Sequence, residues 1–112
     1  MITLIDYEEH MPKTYLTRIE RWRHKKLRKE EGYSHQAPYY AKIVRGFATA
    51  LRRDDWSRKW CPNHRHGDQS QISIDVKTHE LLQLLHADTG VSIQCLFETA
   101  CVHYRESLKD AE

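Results

Sequence analysis

Cys61, His64 and His66 have the types and spacing that most directly suggest chemistry. In Cys61-Pro62-Asn63-His64-Arg65-His66 a thiol and two imidazoles fall within one short segment, and thiolate and imidazole are donors that zinc accepts. A structural zinc site takes four ligands, and only His24, His35 or a second chain is at hand to complete this one. No metal is therefore assigned, and the segment reads as a polar linker in a chain rich in His. A nuclease built on His64 and His66 would need more carboxylate than Asp68 supplies. The sequence has no Gly-rich phosphate loop, no G-x-S-x-G and no H-E-x-x-H, so neither an enzyme nor a cofactor is expected. His79, His86 and His103 fall on predicted helices, with surface or packing roles as the default.

Anion binding is the second chemistry on offer. Residues 14–31 read as a helix with a narrow apolar stripe of Tyr15 or Leu16, Ile19, Trp22 and Leu27, stopped by Gly32. Its other faces carry Arg18, Arg21, Arg23, His24, Lys25, Lys26, Arg28 and Lys29. Most charge runs are solvated faces, but a run nearly all of one sign also suits phosphate. Arg21, Lys25 and Lys29 share one face of that helix. Trp56 and Trp60, one turn apart further on, are better suited to packing than to stacking on bases.

The elements that position these groups follow from periodicity. A turn over residues 32–37 leads to a helix with Pro38 in its first turn, running to about Trp60, with Tyr40, Ile43, Val44, Phe47, Ala48 and Leu51 on one face. The two helices form a predicted hairpin, and Gly46 permits close packing. The last third changes period. Gln71-Ile72-Ser73-Ile74 alternates as a short strand does. Asp75 is an N-cap candidate for a helix carrying Thr78, Leu81, Leu82 and Leu85, which Thr89-Gly90 stops. Ser92 caps a second helix with Leu96, Phe97, Ala100, Cys101 and Tyr104 on its face. No internal repeat is evident.

One strand and two helices in so short a segment cannot bury a core alone. With its alternating strand, Gly90-Val91-Ser92 between the helices and the apolar face of the second helix, the last third resembles the ribbon-helix-helix family of MetJ, Arc and CopG type. The resemblance covers roughly the last 40 residues and implies a C-terminal ribbon-helix-helix module over residues 69–112 forming an intertwined dimer. Residues 1–68 read, from their own periodicity and charge, as a basic helical extension with a His-containing linker, so the fold expected is mostly α. The resemblance also implies that paired strands enter the major groove with Gln69, Gln71 and Ser73 reading bases, while Ile72, Ile74, Leu82, Leu85, Leu96, Phe97, Ala100 and Tyr104 form a dimer core. The amides at Ser92 and Ile93 would meet phosphate, joined by Arg18, Arg21, Lys25, Arg28 and Lys29. The expected function is a homodimeric, sequence-specific binder of double-stranded DNA, a transcriptional repressor or autoregulator of bacterial, plasmid or phage type. The alternatives are an antitoxin-like module whose N-terminal helices take a protein partner, and a plasmid-transfer accessory factor.

Size and charge bound these readings. At 112 residues the chain is one domain or a small module with an extension. Without a signal peptide or an apolar run of membrane-spanning length, a cytoplasmic, membrane-free protein is expected. Three cysteines, Cys61, Cys95 and Cys101, have no framework spacing and fit a reducing compartment. The net charge of +2 is unevenly held: residues 1–68 carry 15 Lys and Arg against 9 Asp and Glu, and residues 69–112 carry 3 against 7. An acidic module needs cations from elsewhere to hold phosphates, and the N-terminal part is where they are.

Overall fold

Lys13-Thr14-Tyr15-Leu16-Thr17 alternates exposed and buried side chains and forms strand β1 (Lys13–Thr17). The computed structural model describes residues 12–53, 60 and 69–110. After β1 come α1 (Arg18–Glu30), α2 (Gln36–Arg52), β2 (Gln69–Ser73), α3 (Val76–Thr89) and α4 (Ile93–Asp110). The fold is mostly helical, with a small two-stranded antiparallel sheet.

The first predicted helix needs correction. It starts at Arg18, because the segment from Lys13 to Thr17 pairs with β2 and the Thr17 hydroxyl then caps the helix, accepting from the Glu20 amide at 3.2 Å. With Leu16 in a strand, the helical stripe loses its phase. Ile19 and Trp22 are 65% and 66% exposed, while His24 is wholly buried and Leu27 partly so. At the other end, the Gly32 amide donates to the Lys29 carbonyl, and the φ of +84° at Gly32 turns the Tyr33 amide back to that of Arg28. The second helix also ends earlier than expected, at Arg52 instead of near Trp60; residues 54–59, including Trp56, lie outside the described residues. Its predicted face is buried, apart from Leu51, which is partly so, and Tyr39 joins it.

The partner of β2 is the larger correction. The strand was expected to pair with a second copy, but it pairs with β1 of its own chain, in the register Lys13 to Ser73, Thr14 to Ile72, Tyr15 to Gln71, Leu16 to Ser70 and Thr17 to Gln69. The Ile74 amide extends the ladder to the Pro12 carbonyl at 3.1 Å. The missing layer thus comes from the first half of the chain, where an alternating strand with inward Thr14 and Leu16 was available. Ile72, Ile74, Leu82, Leu85, Leu96, Phe97 and Ala100, expected to form a dimer core, are buried in one chain in a cluster with Leu16, Tyr39, Tyr40, Ile43, Val44 and Phe47. Tyr104 is half-buried and donates its hydroxyl hydrogen to Glu31.

Strand, helix, helix therefore occurs twice. Asp75 caps α3 by accepting from the Thr78 amide at 2.6 Å, as Thr17 caps α1. Gly90, at φ +75°, ends α3 as Gly32 ends the turn after α1. The same interval separates Thr17 from Asp75 and Gly32 from Gly90. Tyr40 of α2 and Phe97 of α4 meet across the middle, ring centroids 5.2 Å apart.

At the corresponding place in each half stand Leu82, fully buried, and His24, equally buried. His24 Nδ1 lies 2.9 Å from the Tyr39 hydroxyl, and its ring packs beside Tyr39, Tyr40 and Tyr104. Burial, then the nearby Arg105, lowers its pKa to about 4, although the Glu20 carboxylate is 3.7 Å from Nε2. That carboxylate is already engaged by Arg105 at 3.0 Å and Arg23 at 3.3 Å.

Two measurements follow from this architecture. Because the ribbon closes within one chain, the midpoint of thermal unfolding should stay constant over a roughly hundredfold dilution, whereas folding coupled to association would make it fall. The folded state also refuses a proton that the unfolded His24 accepts below its ordinary pKa of 6.5. Stability should therefore drop by ~1–2 kcal/mol between about pH 7 and pH 5. His24→Leu should flatten that drop even if it lowers stability overall. A full drop persisting in the variant, read by denaturant titration, would assign the acid sensitivity to other groups.

Candidate nucleic-acid interface

The ribbon has two chemically distinct faces. Thr14, Leu16 and Ile72 point into the core. The alternate residues face out as three cross-strand pairs: Lys13 beside Ser73, Tyr15 beside Gln71, and Thr17 beside Gln69. Lys13, Tyr15 and Gln71 are exposed, and Thr17, Gln69 and Ser73 are half-buried. The three predicted reading residues thus share the outer face of one strand, as period-2 geometry requires. Lys13 and Tyr15 complete that face and were missed. Their signal was present in the alternation of residues 13–17, but the overlapping helical spacing of Leu16, Ile19 and Trp22 hid it.

Asp75 does not add a negative charge to this face, since its carboxylate caps α3. The outer face therefore offers an ammonium, a phenol, amides and hydroxyls, all of which can donate hydrogen bonds.

Beyond Thr17 the chain runs straight into a basic cleft of about 430 Å³, lined by Arg18, Arg21, Trp22, Lys25, Arg28, Gln36 and Tyr40. Helical spacing brings the four cations to one side of α1, and the first turn of α2 closes the cleft through Gln36. Among the described residues that line it there is no carboxylate. Arg28 is held by donating to the Tyr33 carbonyl at 3.0 Å. Among the described residues no ion pair engages Arg18, Arg21 or Lys25, in contrast to Arg23 and Arg105, which are both held by Glu20. A cluster of unneutralised cations in a concave surface raises the local positive potential and suits a polyanion.

Of the other predicted phosphate contacts, Lys29 is exposed but outside the cleft lining. Ser92 and Ile93 stand at the start of α4, the Ser92 hydroxyl accepting from the Cys95 amide at 3.2 Å. Lys42 binds Glu31 at 2.5 Å and the Tyr104 hydroxyl at 2.8 Å. Burial opposes its charge, but these two hydrogen bonds prevail and hold the ammonium above its usual pKa. Lys42 thus ties α2 to the rest of the fold and is not a free cation. Cys61, His64 and His66 lie outside the described residues. Among the described residues no group of His, Cys, Asp and Glu is placed to hold a metal ion, and no helix is long and apolar enough to cross a membrane.

No protein-family model, curated protein or solved structure matches this chain.

Proposed function

We propose that this chain binds double-stranded DNA sequence-specifically, as a repressor or autoregulator, by laying its two-stranded ribbon in the major groove. The observation that carries the reading is the outer face of the ribbon: Lys13, Tyr15, Gln71 and Ser73 project from a sheet whose other face is anchored in the core. A two-stranded ribbon fits the major groove, where amide, ammonium and hydroxyl groups can distinguish base edges. Each strand is followed by two helices, the arrangement of the ribbon-helix-helix family, with both strands supplied here by one chain. The cleft of Arg18, Arg21, Lys25 and Arg28 adjoins the ribbon and answers the charge problem of the acidic second half, because it would neutralise flanking phosphates.

A second reading, a protein-interaction role of antitoxin kind, is favoured by one observation. Ile19 and Trp22 leave large apolar surfaces exposed on α1, and Trp22 also borders a groove lined by Leu27 of α1 and Leu108 of α4. Such surfaces attract protein partners.

Gln71→Ala should separate the two. Under DNA reading it lowers affinity for a selected duplex by ~1–3 kcal/mol and leaves binding to unrelated duplex nearly unchanged. Equal affinity for the selected duplex before and after substitution would remove the ribbon from base recognition, and failure to select any duplex would leave the Ile19 and Trp22 surface as the functional one.

A further inference from the structure

The two halves of the chain are alike in backbone and unlike in chemistry. The capping residues Thr17 and Asp75, and the positive-φ glycines Gly32 and Gly90, set the correspondence between them. On that correspondence the ribbon is centred on the inward pair Thr14 and Ile72, so Lys13 matches Gln71 and Tyr15 matches Ser73. A twofold-symmetric reader would present the same side chain at matched positions. Here one carries only donors, suited to the paired acceptors of guanine, and its match carries donor and acceptor together, suited to adenine.

The flanks differ more strongly. Arg18, Arg21, Lys25 and Arg28 of α1 correspond to Val76, His79, Gln83 and His86 of α3, and Trp22 corresponds to Glu80. The basic cleft therefore has no counterpart at the matched place in the second half.

We infer that the duplex this chain recognises lacks twofold symmetry: one chain binds one site in a single orientation, with the phosphates held mainly on the flank nearest α1. The inference rests on the DNA-binding reading. A guanine-bearing half-site lies under Lys13 and an adenine-bearing one under Gln71, and the cation cleft sets which way round the chain lies, since only one flank can release many counterions.

The test is selection of the full-length protein on a random duplex library, followed by backbone footprinting and measurement of stoichiometry on the enriched duplex. The expected result is a consensus without dyad symmetry, one chain per duplex, and backbone protection that reaches further on one side. An inverted-repeat consensus, or equal protection on both flanks, would overturn the inference while leaving DNA binding intact. Failure to enrich any duplex would overturn the DNA-binding reading itself, and the inference with it. Two variants sharpen the result, each checked for folding by its helical circular dichroism. Arg21→Ala with Lys25→Ala should erase the extra protection on one flank only, and a uniform loss on both flanks counts against the inference. Lys13→Gln with Tyr15→Ser makes the matched positions alike and should shift the selected consensus towards an inverted repeat; an unchanged consensus would count against it.

Discussion

Everything else in this fold depends on the backbone ladder between Lys13–Thr17 and Gln69–Ser73. A single strand of this length has no means of satisfying its amides and carbonyls beside an apolar layer, and burying them unpaired is costly. Pairing solves that problem and also turns Thr14, Leu16 and Ile72 towards the helices. A one-residue slip would turn the whole inward set outwards, so the buried face of the sheet also enforces its register. Because β1 and β2 each stand at the head of a helical pair, the ladder draws the two pairs onto one core, with Tyr40 and Phe97 in contact at its middle.

That core is unusually polar on one side. His24, Tyr39, Tyr40 and Tyr104 gather where the first half meets α4, and Glu20, Glu31, Lys42 and Arg105 surround them. The carboxylates of this group are committed to structure: Glu20 gathers Arg23 and Arg105, and Glu31 gathers Lys42 and Tyr104. The cations of the outer face of α1 have no such partners among the described residues, which separates a structural charge network from an available one on the same helix.

Legibility followed the range of the forces involved. The strand at Gln69–Ser73, the cap at Asp75, the stop at Gly90 and the buried face of α4 are local, and periodicity and capping chemistry show them directly. Strand β1 was obscured because Leu16, Ile19 and Trp22 also fit a helical period, and only the distant partner decides between the two. The doubling of the strand-helix-helix unit was invisible for a different reason. When residues 14–32 are set against residues 72–90, only Leu27 with Leu85 and Gly32 with Gly90 are identical. A buried position accepts His24 in one half and Leu82 in the other, so what persists is burial and backbone conformation. The outer-face residues Gln69, Gln71 and Ser73 came from the family resemblance, with alternation supporting Gln71 and Ser73; Lys13 and Tyr15 required the register.

The covalent joining of the two halves has a consequence for how such a protein can change. In an assembly of identical subunits every substitution appears twice, so a side chain useful on one flank is imposed on the other whether or not it fits there. Here each position is altered once. The contrast between Trp22 and Glu80, or between Arg21 and His79, is the kind of divergence this permits. One half can acquire a new contact while the other keeps its old one, and the shared sheet and core hold both in place.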